Sequence, residues 1–253
     1  MFRPRVIPVL LLKGKGLVKT VRFKNPVYIG DPVNATRIFN EKRADELVFL
    51  DIDATREGRS IPFDLVEKLS DECYMPFSVG GGIRTASDVK RLIQAGAEKI
   101  IVNTAATESP DFVTEAANIV GSQSVVVSID VRRKIFGNYE VYARAGKVAT
   151  GKEPVEFAQL MQEKGAGEIF LNSIDRDGTY SGYDLELIQK VASNVDIPVI
   201  ACGGAGSYDD LKLAVKNSKV SAVAAGSIFV FHGKHKAVLI NYPSDNELRS
   251  LLE

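Results

Sequence analysis

The chain has 253 residues, 45% hydrophobic, with 32 Lys and Arg balanced by 32 Asp and Glu. Zero net charge argues against a nucleic-acid binder, which carries a basic excess. Two cysteines and two histidines (Cys73, Cys202, His232, His235) argue against a zinc cluster or a disulfide framework and fit a reducing compartment.

The start, MFRPRVIPVLLLKG, has too short an apolar core and no small-residue cleavage site for a signal peptide, and no apolar stretch approaches the ~20 residues of a membrane span. A cytoplasmic protein with no membrane or nucleic-acid partner, no metal and no cofactor is expected.

The first predicted strand, RVIPVLLL (5–12), ends in leucines that can neither move a proton nor hold a charge. A long loop follows, roughly residues 13–30, and then Asp31-Pro32 reads as a helix N-cap with proline at the first helical position. ELVFLDI (46–52) delivers Asp51, with Asp53 beyond it. PFSVG (76–80) runs into Gly80-Gly81-Gly82, and Thr85 to Asp88 reads as a capping box. KIIVN (99–103) ends at Asn103-Thr104. SVVVSID (124–130) ends on Asp130, and KIFGNYEVYARAGKVAT (134–150) reads as a hairpin. EIFLNSI (168–174) precedes Asp175, Asp177 and Gly178. PVIAC (198–202) is followed by Gly203-Gly204 and a second capping box, Ser207 to Asp210. VSAVAAG (220–226) closes the series at Gly226-Ser227.

Runs that are apolar throughout suggest strands buried on both faces. Eight of them alternating with helices predict an α/β fold, a (βα)8 TIM barrel, in a single domain over 1–253.

The chain also repeats at half length. PFSVGGGIRTASDVKRLIQAG (76–96) aligns with PVIACGGAGSYDDLKLAVKNS (198–218), and ELVFLDIDATREG (46–58) aligns with EIFLNSIDRDGTY (168–180) at the same offset. This predicts two half-barrels, about 1–122 and 123–253. Glycines after strands 3 and 7, completed by the turns after strands 4 and 8, suit two anion cradles, because glycine lets a ligand approach backbone N–H groups at a helix start. Two cradles imply a ligand with a phosphate at each end.

Asp130 is a natural general acid or base at a strand terminus. Aligning VIPVLL (6–11) with VVVSID (125–130) sets Leu11 opposite it, so the twin carboxylate is missing. At the other ends of the strands stand Arg5, Glu46, Lys99 and Glu168. They suit a ring of salt bridges, but spacing alone favours four unrelated exposed charges.

VGGGIRTASDV (79–89), VNTAA (102–106), GSQSVVVSID (121–130), GAGEIFLNSIDRDGTYSGYD (165–184) and ACGGAG (201–206) closely resemble HisF, the cyclase subunit family of imidazole glycerol phosphate synthase, over about residues 3–230. The resemblance implies a barrel that docks a HisH-like glutaminase at its N-terminal face and receives ammonia through a four-residue gate, here Arg5, Glu46, Lys99 and Glu168. That reverses the reading from spacing. It implies phosphate sites at Gly81, Gly82, Asn103 and Thr104, and at Asp177, Gly178, Gly203, Gly204, Gly226 and Ser227. It also implies substrate contacts from Lys19 and Asp51.

HisF uses two catalytic aspartates. One is Asp130; the partner position is Leu11. Val9, the loop 20–30 and the tail 229–253 also depart from the family pattern. The combination, with AVLINYPS in the tail, resembles a HisF-like branch that serves acetamidino-sugar modification in surface polysaccharide biosynthesis, with a separate sugar amidotransferase as partner.

Three functions follow. The first is an ammonia-conducting subunit with weak or no cyclase activity. The second is a true cyclase of histidine biosynthesis, with Asp51, Asp53 or a loop lysine replacing the missing acid. A sugar isomerase of the sister HisA type ranks last, since it needs both acids and has no use for a gate.

Overall fold

The computed structural model describes residues 3–252; Met1, Phe2 and Glu253, the ends of the expected 1–253 domain, lie outside the described residues. Eight parallel strands form a closed barrel: β1 (Arg5–Lys13), β2 (Leu47–Asp51), β3 (Phe77–Gly80), β4 (Lys99–Val102), β5 (Val125–Arg133), β6 (Glu168–Ser173), β7 (Val199–Cys202) and β8 (Ala222–Ala225). Each pairs with the next, and β8 pairs with β1. All eight sequence-predicted strands are present, β5 running three residues past its expected end.

The major outer helices are α1 (Pro32–Glu41), α2 (Phe63–Glu72), α3 (Ala86–Gln94), α4 (Asp111–Val120), α5 (Pro154–Glu163), α6 (Leu185–Ala192), α7 (Tyr208–Asn217) and α8 (Asp245–Leu252). The start signals act as the sequence implies: Asp31 accepts from the Asn34 amide ahead of Pro32, and Thr85/Asp88 and Ser207/Asp210 form reciprocal capping boxes. No helix among the described residues is long and apolar enough to cross a membrane.

Alternation along each strand divides the core in two. The larger part lies between strands and helices. A smaller one fills the barrel with Ile7, Val9, Val48, Ile101, Val126, Phe170, Ile200, Cys202, Ala222 and Ala224, with Leu11 and Leu50 packed at its upper edge.

The region 13–30 corrects the expectation of an open loop. β1 continues beyond the barrel and turns through Gly14-Lys15 into Gly16–Val21, which pairs with Lys24–Gly30. The second turn, Arg22-Phe23, has φ of +51° and +62°, the twist a two-residue hairpin demands even without glycine. The 134–150 segment is a hairpin as expected: Tyr139–Ala143 pairs with the extension of β5 and then with Val148–Ala149.

The tail closes the seam beside β1. Tyr242 is buried against Phe39 and Phe229, its hydroxyl donates to the Val6 carbonyl (2.9 Å), and the Asp45 amide donates to that hydroxyl (3.2 Å). Tyr242→Phe removes the hydroxyl partner of the buried Val6 carbonyl and of the part-buried Asp45 amide, and is expected to cost about 1–3 kcal/mol in chemical denaturation. An unchanged unfolding midpoint would show that the tail does not brace β1.

Candidate functional site

The C-terminal ends of the strands open into a cavity of about 930 Å³. Leu11, Lys19, Asp51, Gly81, Gly82, Asn103, Thr104, Asp130, Asp177, Gly178, Gly203, Gly204, Gly226 and Ser227 all line it. The structure therefore brings together the expected phosphate, substrate and acid–base positions of the top face; Asp175 does not line the cavity, and its carboxylate accepts from the Arg133 amide (2.9 Å). Arg5, Glu46, Lys99 and Glu168 lie at the strand starts, the opposite end.

The two hairpins lean over this cavity from opposite sides. The first crosses from β1 to the β6 turn, where Arg22 N donates to the Asp177 carbonyl (2.8 Å) and Arg22 Nε to the Asp175 carbonyl (3.0 Å). This fold-back buries Lys19, whose ammonium donates to the Val9 carbonyl. The second hairpin reaches the β4 side, where Arg144 N donates to the Thr104 hydroxyl (3.1 Å).

The paired glycines have a structural cause as well as a candidate binding role. Gly82 and its repeat counterpart Gly204 adopt φ of +65° and +112°, and a Cβ would lie 1.8 Å from the Arg59 carbonyl oxygen in one and 2.2 Å from that of Gly182 in the other. Backbone packing forbids a side chain at both. Beyond them, the short helices Thr104–Glu108 and Ser227–Val230 start in the cavity, and neither has a side-chain cap. Their first amides suit an anion. At Gly226 a Cβ would stand 2.1 Å from Lys19 Nζ, so glycine there makes room for the ammonium.

The carboxylates differ sharply in their surroundings. Asp51 Oδ1 accepts from the amides of Asp53 (3.0 Å) and Ala54 (3.1 Å), while Oδ2 pairs with Arg59 at 2.5 Å. Asp53 pairs with Lys13 (3.3 Å) and Arg56 (3.1 Å). Asp177 accepts from the Thr20 hydroxyl (3.3 Å), and burial raises its pKa against the opposing pull of Lys19.

Asp130, like Asp177, has no cationic partner within ion-pair distance among the described residues; it meets the neutral donors Asn103 Nδ2 (3.3 Å), Asn172 Nδ2 (3.4 Å) and Ser128 Oγ (3.5 Å). Burial pushes its pKa up to about 7, and the Asp177 charge adds to the rise. Burial likewise pulls Lys19 down to about 8. The cavity thus holds an acid and a base that both change state near neutrality.

At the N-terminal mouth the four charges close a ring. Arg5 reaches Glu46 (2.5 Å) and Glu168 (2.6 Å); Lys99 reaches Glu46 (3.4 Å) and Glu168 (3.0 Å). Ser78 Oγ donates to Glu46 at 2.9 Å. Burial lowers the Arg5 pKa, but the two glutamates outweigh it and the net shift is upward.

Asn172 is a site residue the sequence reading missed. It is buried, donates to Asp130, and leaves its Oδ1 unpartnered. The signal was its alternation with Glu168 and Phe170 on an inward-facing strand. Ser128 and Cys202 were missed likewise; burial pushes the Cys202 thiol pKa up, so it is not a ready nucleophile. Among the described residues, no group of three or more His, Cys, Asp or Glu is placed to hold a metal.

A parallel barrel with this polar cavity belongs to a known class. The sequence profile described as histidine biosynthesis protein matches residues 5–236, and the chain belongs to that family. Within it, the chain is a member of the HisF-like imidazole glycerol phosphate synthase subunits. It is 53% identical over 248 residues to the "Putative imidazole glycerol phosphate synthase subunit hisF2" of Pseudomonas aeruginosa, covering 98% of this chain and 99% of the relative. It is 49% identical over 252 residues to a protein of Leptospira interrogans named "Putative imidazole glycerol phosphate synthase subunit HisF", covering 99% of each. It is 45% identical over 232 residues to the "Imidazole glycerol phosphate synthase subunit HisF" of Alkaliphilus metalliredigens, covering 92% of each.

The Asp130 environment makes a signed prediction. Its folded pKa, about 7, lies above the unfolded value of about 3.9. Between those values the folded state holds a proton that the unfolded state has released, so Asp130 lowers stability progressively as pH rises from about 4 to about 7. Asp130→Asn should remove this loss. The stability gap between variant and wild type should widen over that window and level off above it; a gap independent of pH would refute the raised pKa.

Proposed function

We propose that the chain is the synthase-side subunit of a glutamine amidotransferase complex. In this reading a HisH-like glutaminase docks at the N-terminal face of the barrel. Ammonia passes the Arg5–Glu46–Lys99–Glu168 ring, crosses the apolar interior and enters the upper cavity. An interior of Ile7, Val48, Val126, Phe170 and Ala222 suits neutral ammonia, since moving an ammonium through it would incur a large desolvation cost. A phosphorylated small molecule is the ligand suited to the two cradles, with Lys19 near the second.

The observation that carries the reading is Leu11. It lines the cavity where the half-barrel repeat calls for a partner to Asp130. One carboxyl cannot act as acid and base in the same step. A contribution of ~10²–10⁴-fold from such a group is therefore absent, and cyclase activity is weak or nil. The resemblance of the tail and of the strand 1 region supports service in acetamidino-sugar modification for surface polysaccharide biosynthesis, with a sugar amidotransferase as a further partner.

A second reading, an active cyclase of histidine biosynthesis, draws support from the names of the relatives and from the retention of Asp130 and Lys19. Its stand-ins for the missing acid are poorly suited: Asp51 is held by two amides and Arg59, and Asp53 by Lys13 and Arg56.

With ammonium and the bisphosphate substrate of imidazole glycerol phosphate synthase, the wild-type chain should turn over slowly or not at all. Leu11→Asp should raise that rate by ~10²-fold or more if the rest of the site is competent. Wild-type turnover at the rate of a HisF cyclase would favour the second reading instead. Failure to co-purify with a HisH-like glutaminase would sink both.

A further inference from the structure

Outside the barrel mouth, behind the second cradle, lies a separate depression of about 500 Å³. Tyr180, Tyr208 and Phe231 supply its aromatic walls, and His232, Lys234 and Lys236 stand at its rim. Among the described residues, no carboxylate lines it. Neither lysine has an ion pair among the described residues.

The rim is built by the tail. Phe231–His232 pairs with Ala237–Val238 in a short hairpin, so the sequence HGKHK becomes a turn beside the depression. Lys236 Nζ stands 5.0 Å from the centre of the Tyr180 ring. Tyr180 itself is held at φ +60°, an uncommon conformation for a bulky residue and one that persists only where its surroundings enforce it. Its hydroxyl is buried beside Ser227 with no hydrogen-bond partner of good geometry. The two cavities thus meet back to back across one side chain: Tyr180 walls the outer depression, and Ser227 lines the main cavity.

Two ammoniums with no ion-paired acid among the described residues suit a phosphate; the neighbouring carboxylate, Asp210, is taken up by the Gly206 and Ser207 amides. Half-buried aromatic rings alongside them suit a flat heterocycle, and a depression of this size is within the range that holds a small ligand. We propose that this depression is a second ligand site, distinct from the barrel cavity, for a nucleoside monophosphate: its phosphate on Lys234 and Lys236, its base against Phe231 and Tyr208. The site does not depend on the ammonia reading.

The test is calorimetric titration of the full chain with AMP, with inorganic phosphate as the second probe. AMP should bind saturably and about tenfold or more tighter than phosphate. Lys234→Ala/Lys236→Ala, both exposed positions, should weaken AMP by about tenfold or more, whereas Lys19→Ala, in the barrel cavity, should leave it within about twofold. The absence of saturable binding overturns the site. Loss of AMP binding in Lys19→Ala but not in the double variant assigns the nucleotide to the barrel cavity and also overturns it. Equal affinity for AMP and phosphate overturns the nucleoside class.

Discussion

Whatever stands on an inward position of a closed barrel is buried with the other members of its layer, because no strand edge lets it turn away. This constraint organises the molecule. Charges admitted at the strand starts must pair with one another, and the ring of Arg5, Glu46, Lys99 and Glu168 does so completely. The middle layers, with nothing to pair, are apolar. At the strand ends the barrel widens into solvent and hairpins, and polar groups return as Lys19, Asp130, Asn172 and Asp177.

The same constraint explains why a single apolar residue matters so much at the top. Asp130 sits among neutral donors only, so burial decides its pKa and holds it near neutrality. Apolar Leu11 and Val9 on the neighbouring wall supply neither a cation nor a second carboxyl. Hairpin residues cannot repair this. Lys19 is tied to the Val9 carbonyl beside Gly226, and Lys13 is paired with Asp53. A lone acid of this kind can hold or give up one proton near pH 7. It cannot do both at once, and general acid–base cyclisation asks for both.

The eight strands, the caps and the glycine turns were legible because each has a local cause: an apolar run of strand length, a capping residue three positions from its partner, a backbone too close to admit a Cβ. The asymmetry at Leu11 was legible from the half-length repeat alone. The charge ring was legible only through the family resemblance, not from spacing. Spacing places Arg5, Glu46, Lys99 and Glu168 near strand starts, but only closure of the barrel makes them neighbours. Asn172 was hidden because Asn172 and Ser173 stand side by side at the end of an apolar run, and only the period-two alternation with Glu168 and Phe170 tells which of them faces the barrel. The hairpin of 16–30 has no local signature, because its second turn uses Arg22 and Phe23 at positive φ, where a two-residue turn ordinarily carries glycine or asparagine.

The repeat is kept where physics is symmetric and broken where it is not. Gly82 and Gly204 meet equivalent backbone clashes, and the two capping boxes meet equivalent orphan amides. Glu46 and Glu168 are likewise counterparts in the repeat. Their cations are not: one is an arginine, held at 2.5–2.6 Å, and the other a lysine at 3.0–3.4 Å. A guanidinium bridges two carboxylates through separate N–H groups in a fixed fork, whereas an ammonium is a point charge on a flexible stem. The ring therefore has a firm side at Arg5 and a loose side at Lys99. If ammonia enters here, swinging Lys99 aside breaks the longer contacts, while Arg5 stays with both glutamates and keeps them from being left together without a cation.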